Sequence, residues 1–154
     1  MTQNARAIFI DTNILVYANA EQSPWHDLAR LALEHYYKQG FSLWISNQIL
    51  REYLAIVTRP QSNSQPLSTP IALERVKYFC QIFNVAEDLT SVHQKLVELL
   101  SLYSVAGKQI HDANIAATML VYQIPQLLTA NVADFRRFSS VIEITNLSNF
   151  LAIE

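Results

Sequence analysis

A parallel β-sheet covered by helices on both faces is the fold class this sequence predicts, and three observations predict it. Apolar runs of strand length alternate with longer stretches of helical periodicity. The runs are solidly apolar instead of alternating with polar residues, as expected of strands buried on both faces. Cap and turn residues separate the two kinds of segment. Strands that alternate with helices pair in parallel through helical crossovers, and the pattern holds four or five strands.

Ala7-Ile8-Phe9-Ile10 is the first run and reads as a buried strand. Ser23-Pro24 then starts a helix as cap and first residue, and Gly40 ends it. Between them Trp25, Leu28, Ala32 and Tyr36 keep helical spacing. Phe41–Ile45 reads as the second strand. A helix from Asn47 to Thr58 stops before Pro60, because the residue before proline avoids the helical region. Gln61–Ser68 is polar and proline-flanked, a loop. Thr69-Pro70 opens a helix with Ala72, Val76, Phe79 and Phe83 on one face. Asn84–Ala86 is a short strand, and Thr90 starts a helix carrying Val92, Leu96, Leu99 and Tyr103. Gly107 breaks the chain before a helix from His111 to Tyr122. Gln126–Thr129 is a strand, Asn131–Phe138 a short helix, and Val141–Ile144 the last strand.

The 154 residues suit one domain, 1–154, and just over half of them (51%) are hydrophobic, enough for a real core. The single cysteine, Cys80, excludes an internal disulfide framework and suits a reducing compartment; its apolar helical surroundings read as a buried thiol. No signal peptide and no membrane-spanning run is visible, so a cytoplasmic protein is expected. Only Gly40 and Gly107 are glycines, which removes Gly-rich nucleotide loops from contention. The net charge of −2 argues at first against a nucleic-acid partner. With four acids neutralised by a cation, however, 9 acidic side chains face 11 basic ones. The excess then becomes mildly positive and permits RNA binding.

In open α/β sheets ligands bind beyond the carboxyl ends of the strands. Asp11 follows the first strand directly, Asp134 lies just past a later one, and Asp112 opens the helix that follows Gly107. Glu52 lies within the helix after the second strand. Each has an ordinary explanation. Asp11 and Asp112 suit helix starts, Asn131 and Asp134 have the spacing of a capping box, and Glu52 suits a solvated helix face. Their weight lies in occurring together, in this order.

Asp11-Thr12-Asn13 after a first strand, followed by Ser46-Asn47-Gln48-Ile49-Leu50-Arg51-Glu52-Tyr53, resembles the opening blocks of PIN-domain proteins. Lys108–Ala117 and Leu128–Phe135 look like that family's third and fourth blocks. The resemblance spans Ile8 to Ile144 and is nearest to the single-domain VapC-type toxins of toxin–antitoxin modules. It implies a three-layer α/β/α sandwich and a metal-dependent endoribonuclease with Asp11, Glu52 and Asp112 as metal ligands. In the fourth block Asn131 stands where many relatives have an acid, so Asp134 is the remaining carboxylate and Asn131 a neutral oxygen ligand. The resemblance further implies a small antitoxin partner and a homodimer.

The chemistry fits the residue types. Phosphodiester hydrolysis needs an activated water and stabilisation of phosphate charge, which Mg²⁺ or Mn²⁺ can supply. Both are hard cations that prefer oxygen ligands. Crowded carboxylates without a cation repel one another, so a convergent Asp/Glu cluster implies a cation more strongly than simple acid–base work. Thr12, Asn13, Ser46 and Thr129 are candidates for orienting the ligands or water, or else for capping helices and turns. The four histidines lack zinc spacing. Arg51, Arg59, Lys108, Arg136 and Arg137 are available to phosphate or to an acidic partner segment. Two competing readings are a non-catalytic PIN-fold binding module, because of Asn131, and a phosphoaspartate phosphotransfer protein. The second is disfavoured, since Asn13 stands where a second aspartate would be needed.

Overall fold

In the computed structural model, which describes residues 6–61 and 64–152, strands and helices alternate along the chain. Met1–Ala5, Ser62 and Asn63 of the expected loop, and Ile153–Glu154 lie outside the described residues. In chain order the elements are β1 (Ala7–Ile10), α1 (Thr12–Ala18), α2 (His26–Lys38), β2 (Ser42–Ser46), α3 (Asn47–Val57) and α4 (Thr69–Ile82). Then follow β3 (Asn84–Ala86), α5 (Thr90–Leu102), α6 (Gln109–Tyr122), β4 (Gln126–Thr129), α7 (Val132–Phe135) and β5 (Glu143–Asn146). Short 3₁₀ segments at Arg136–Phe138 and Leu147–Ala152 follow α7 and β5.

All five strands are parallel, in the order β3-β2-β1-β4-β5. The solid apolar run of β1 is explained by its place: it is the central strand, and none of its four residues is exposed. Phe9 pairs with Trp44 on one side and Leu127 on the other. The chain builds outward from β1 through β2 to β3, then returns to the other side of β1 for β4 and β5. The order therefore reverses between β1 and β4, and the carboxyl ends of those two strands are where such sheets bind ligands.

Helix packing closes the core. Tyr53 of α3 meets Phe79 of α4 edge to face, with ring centroids 4.9 Å apart. The apolar stripe expected on α4 forms, with Ala72, Phe79 and Phe83 buried and Val76 packed against the core, but the Cys80 thiol, expected to be buried, is exposed. One residue beyond Phe79 turns about 100° around the helix, which carries the thiol to the solvent side. Among the described residues no helix is long and apolar enough to cross a membrane.

Several boundaries differ from those expected. Helix α1 has no counterpart in the sequence reading. Helix α2 begins at His26, because Ser23 closes a turn first: its hydroxyl accepts from Trp25 N at 3.1 Å, and its carbonyl accepts from His26 N. The expected anchor Trp25 is consequently exposed. Helix α6 starts two residues early, at Gln109, so Asp112 sits inside the first turn and does not cap it. Strand β5 starts two residues late. Val141 and Ile142 both donate to Phe138 O, extending the preceding turn, and Ile142 is buried from there.

Gly40, at φ +80°, ends α2 as expected. Helix α6 ends instead on Gln123, at φ 58° and ψ 44°, with an exposed side chain. A side chain in this left-handed region is disfavoured relative to glycine. Gln123→Gly should therefore stabilise the fold by about 0.5–1 kcal/mol, read as a higher urea midpoint at unchanged slope. An unchanged or lowered midpoint would contradict it.

Candidate functional site

Asp11 is the first residue past β1 and lies beside the carboxyl end of β4. Its backbone N–H donates to Leu128 O at 3.0 Å, which continues the β1–β4 pairing by one step. Its side chain is buried and accepts three hydrogen bonds. Oδ1 accepts from Thr12 N at 2.8 Å, while Oδ2 accepts from Thr129 Oγ1 at 2.7 Å and from Asn13 Nδ2 at 3.3 Å. Thr129 Oγ1 accepts in turn from Asn131 N at 2.9 Å, and Asn13 Oδ1 accepts from Ala130 N at 3.2 Å. These bonds stitch the end of β1 to the end of β4. Burial raises the Asp11 pKa, and the charge of Asp134 adds to it; the bonds from Thr129, Thr12 and Asn13 oppose the rise.

Glu52 approaches from α3. Burial raises its pKa, and the charge of Asp11 raises it further. Its Oε1 lies 3.5 Å from Gln48 Nε2, whereas Oε2 is buried with no hydrogen-bond partner. Thr12 lies close enough to lower the Glu52 pKa, yet its buried Oγ1 also completes no hydrogen bond. An unpartnered carboxylate oxygen in a buried position is costly unless something positive meets it.

Asp112 enters from the first turn of α6. Burial pushes its pKa up to about 7, helped by the charges of Asp134, Asp11 and Glu52 and opposed by Arg137. Asp134, on α7, is exposed and forms the open rim of the group. The four carboxylates predicted from sequence thus face one another electrostatically. They grade from buried Asp11 to exposed Asp134.

The capping alternatives resolve unevenly. Asp11 does cap α1, through Thr12 N, while its second oxygen remains turned to Thr129. No capping box forms between Asn131 and Asp134, because Asn131 makes no side-chain cap bond. Ser46 caps α3, accepting from Ile49 N at 3.4 Å.

Sequence reasoning missed two residues, Gln48 and Asn114, and named Arg137 only as a general phosphate candidate. Gln48, buried, joins α3 to α6 by donating to His111 O at 2.8 Å and accepting from Asn114 Nδ2 at 2.7 Å. Arg137 donates to Ser104 O at 2.7 Å and Gln109 Oε1 at 3.2 Å, which holds its charge beside Asp112. Gln48 sits four residues before Glu52 and so shares its helix face, the one signal that could have found it.

The site fits a hard divalent cation. Its donors are all oxygen, its charges raise one another's pKa values, and Glu52 Oε2 has no partner. Among the described residues, however, no three His, Cys, Asp or Glu side chains stand close enough together to hold a metal ion as placed.

A family model for the PIN domain matches residues 8–140. Ribonuclease VapC48 of Mycobacterium tuberculosis is 24% identical over 136 residues, covering 85% of this chain and 91% of that protein. Two solved structures share the fold. The crystal structure of VapBC2 from Rickettsia felis, bound to a DNA fragment from its promoter, aligns at a TM-score of 0.70 and 19% identity, over 91% of this chain and 98% of that one. A toxin–antitoxin complex from Klebsiella pneumoniae aligns at a TM-score of 0.62 and 19% identity, over 91% and 97%.

Proposed function

The chain belongs to the PIN-domain family, and on that premise we propose that residues 1–154 act as one metal-dependent endoribonuclease unit, the toxin of a toxin–antitoxin pair. Asp11, Glu52 and Asp112 raise one another's pKa values near the carboxyl ends of β1 and β4, and Glu52 Oε2 has no hydrogen-bond partner; this convergence of negative charge carries the reading. The name of the VapC48 relative supports RNA as the substrate class. The Klebsiella complex supports a small antitoxin partner.

Asp11, Glu52 and Asp112 hold the cation, Mg²⁺ or Mn²⁺, and Asp134 or Asn131 completes the rim. The bound cation supplies an activated water and neutralises charge on the phosphate and the leaving oxygen. Thr129, Thr12 and Asn13 fix the Asp11 carboxylate so that its position is set before RNA arrives. Arg137, held beside Asp112, offers a positive group to the phosphate backbone. The setting is cytoplasmic, where a free ribonuclease needs external control. An antitoxin segment bearing arginine can meet the same carboxylates as a cation does. The toxin itself is a homodimer.

The test is cleavage of RNA by the purified chain with Mg²⁺ or Mn²⁺ and with excess EDTA, alongside expression with and without the adjacent upstream gene. Metal-dependent cleavage, with toxicity relieved by that gene through a stable complex, is expected. Cleavage unaffected by EDTA would overturn the metal reading. No cleavage under any metal would leave a binding module. Harmless expression of a monomeric chain that still cleaves RNA would overturn the toxin and dimer readings.

A further inference from the structure

Gln48 is the residue of the site whose placement the proposed ligands do not explain. It is 5% exposed, one helical turn before Glu52, and an amide so buried is costly unless its atoms are satisfied. Here both ends are. His111 O is a backbone carbonyl and can only accept, so the amide nitrogen of Gln48 must be the atom 2.8 Å from it. Gln48 Oε1 then faces α6 at another point and accepts from Asn114 Nδ2 at 2.7 Å. Two short bonds, to residues on either side of Asp112 in sequence, tie the Gln48 amide to the first two turns of α6. The same nitrogen also reaches Glu52 Oε1, at 3.5 Å. That contact is long, so it guides the carboxylate more than it binds it. Its consequence is asymmetry: one oxygen of Glu52 faces a donor, and the other is left buried and unpartnered.

We infer that Gln48, with its amide orientation set by His111 O and Asn114, is a positioning residue that steers Glu52 through Oε1 and leaves Oε2 for the cation. The inference rests on the reading of Glu52 as a metal ligand. Groups behind metal ligands of this kind set ligand direction, and losing them typically weakens metal binding by about 10–100-fold.

Mn²⁺ affinity measured by titration calorimetry tests it, in the absence of RNA, with folding checked by circular dichroism. Gln48→Met keeps length and burial but removes the donor and acceptor. It should weaken Mn²⁺ binding by about tenfold or more. Gln48→Glu keeps an acceptor for Asn114 but turns an acceptor or a charge toward His111 O, and should not restore affinity. Glu52→Gln should weaken binding by itself. In the Glu52→Gln background, adding Gln48→Met should change Mn²⁺ affinity by less than about twofold, since residues acting through one another are not additive. A purely structural glutamine would give the same loss in both backgrounds. If Gln48→Met does not fold, Asn114→Leu, which frees the acceptor end alone, takes its place in the same cycle. Undiminished affinity in the Gln48 and Asn114 variants, with Glu52→Gln still impaired, overturns the inference and spares the ligand reading. Undiminished affinity in Glu52→Gln overturns the ligand reading, and the inference with it.

Discussion

Replacing Asp112 with asparagine should lower RNA cleavage by about 10²-fold or more, some 3 kcal/mol of barrier, at saturating Mg²⁺ or Mn²⁺. The residue combines partial burial with repulsion from Asp134, Asp11 and Glu52, so its negative charge has a use only when a cation is present. Removing the charge relieves the repulsion. The variant should therefore melt no lower than the parent when metal is absent. Asp11→Asn should cost at least as much activity, with a different signature. The Asp11 oxygens accept from Thr12 N, Thr129 Oγ1 and Asn13 Nδ2, and an amide must turn a donor toward at least one of those donors. It should lose stability where Asp112→Asn does not. Asp134→Ala should reduce activity less, because the residue is exposed and acts on Asp11 and Asp112 through space. Single-turnover cleavage and chelator-treated melting curves on the three variants check the set. Undiminished cleavage by Asp11→Asn and Asp112→Asn together would remove the carboxylates from the mechanism. Full turnover with a lowered melting temperature in Asp134→Ala would return that residue to a structural role.

Much of this was readable before the fold was known, for local reasons. The run Ala7–Ile10 is apolar at every position because β1 lies in the middle of the sheet, and burial on both faces leaves no place for a polar residue. Asp11, Asp112 and Asp134 were conspicuous because each follows a strand end or opens a helix. The failures are equally specific. Helix α1 spells Thr-Asn-Ile-Leu-Val-Tyr-Ala, rich in β-branched and aromatic residues, and its helicity comes from packing against α2 and α3. Val141-Ile142 looks like the start of a strand because its apolar character serves burial under a turn instead. Gln48 and Asn114 are 66 residues apart and read as solvated polar positions until α3 and α6 meet. No local pattern announces a hydrogen bond across that separation.

Metal should stabilise the folded chain, and increasingly so as pH rises. Asp112 titrates at about 7 in the folded chain against an ordinary value of 3.8, and Asp11 and Glu52 are raised as well. A carboxyl with a raised folded pKa holds its proton more tightly when folded. Its contribution to stability is full below the unfolded value and is lost as pH rises through the folded one. For Asp112 that window runs from 3.8 to about 7. The chelator-treated protein should therefore melt at falling temperature between roughly pH 4 and pH 7 on account of these groups. Protons and the cation compete for the same oxygens, so the rise in melting temperature on adding Mn²⁺ should be small near pH 5 and large near pH 8. Ligand at 100 times its Kd stabilises by about 2.7 kcal/mol, or about 5–10 °C for a chain of this length. Asp112→Asn should flatten the pH dependence of the chelated protein and blunt the response to Mn²⁺ together, because one carboxyl is responsible for part of both. Differential scanning calorimetry across that range, with EDTA and with millimolar Mn²⁺, measures each term. A metal increment of the same size at both ends of the range would separate the cation from these carboxylates. Melting curves unchanged by Mn²⁺ at every pH would deny it a site on the folded chain.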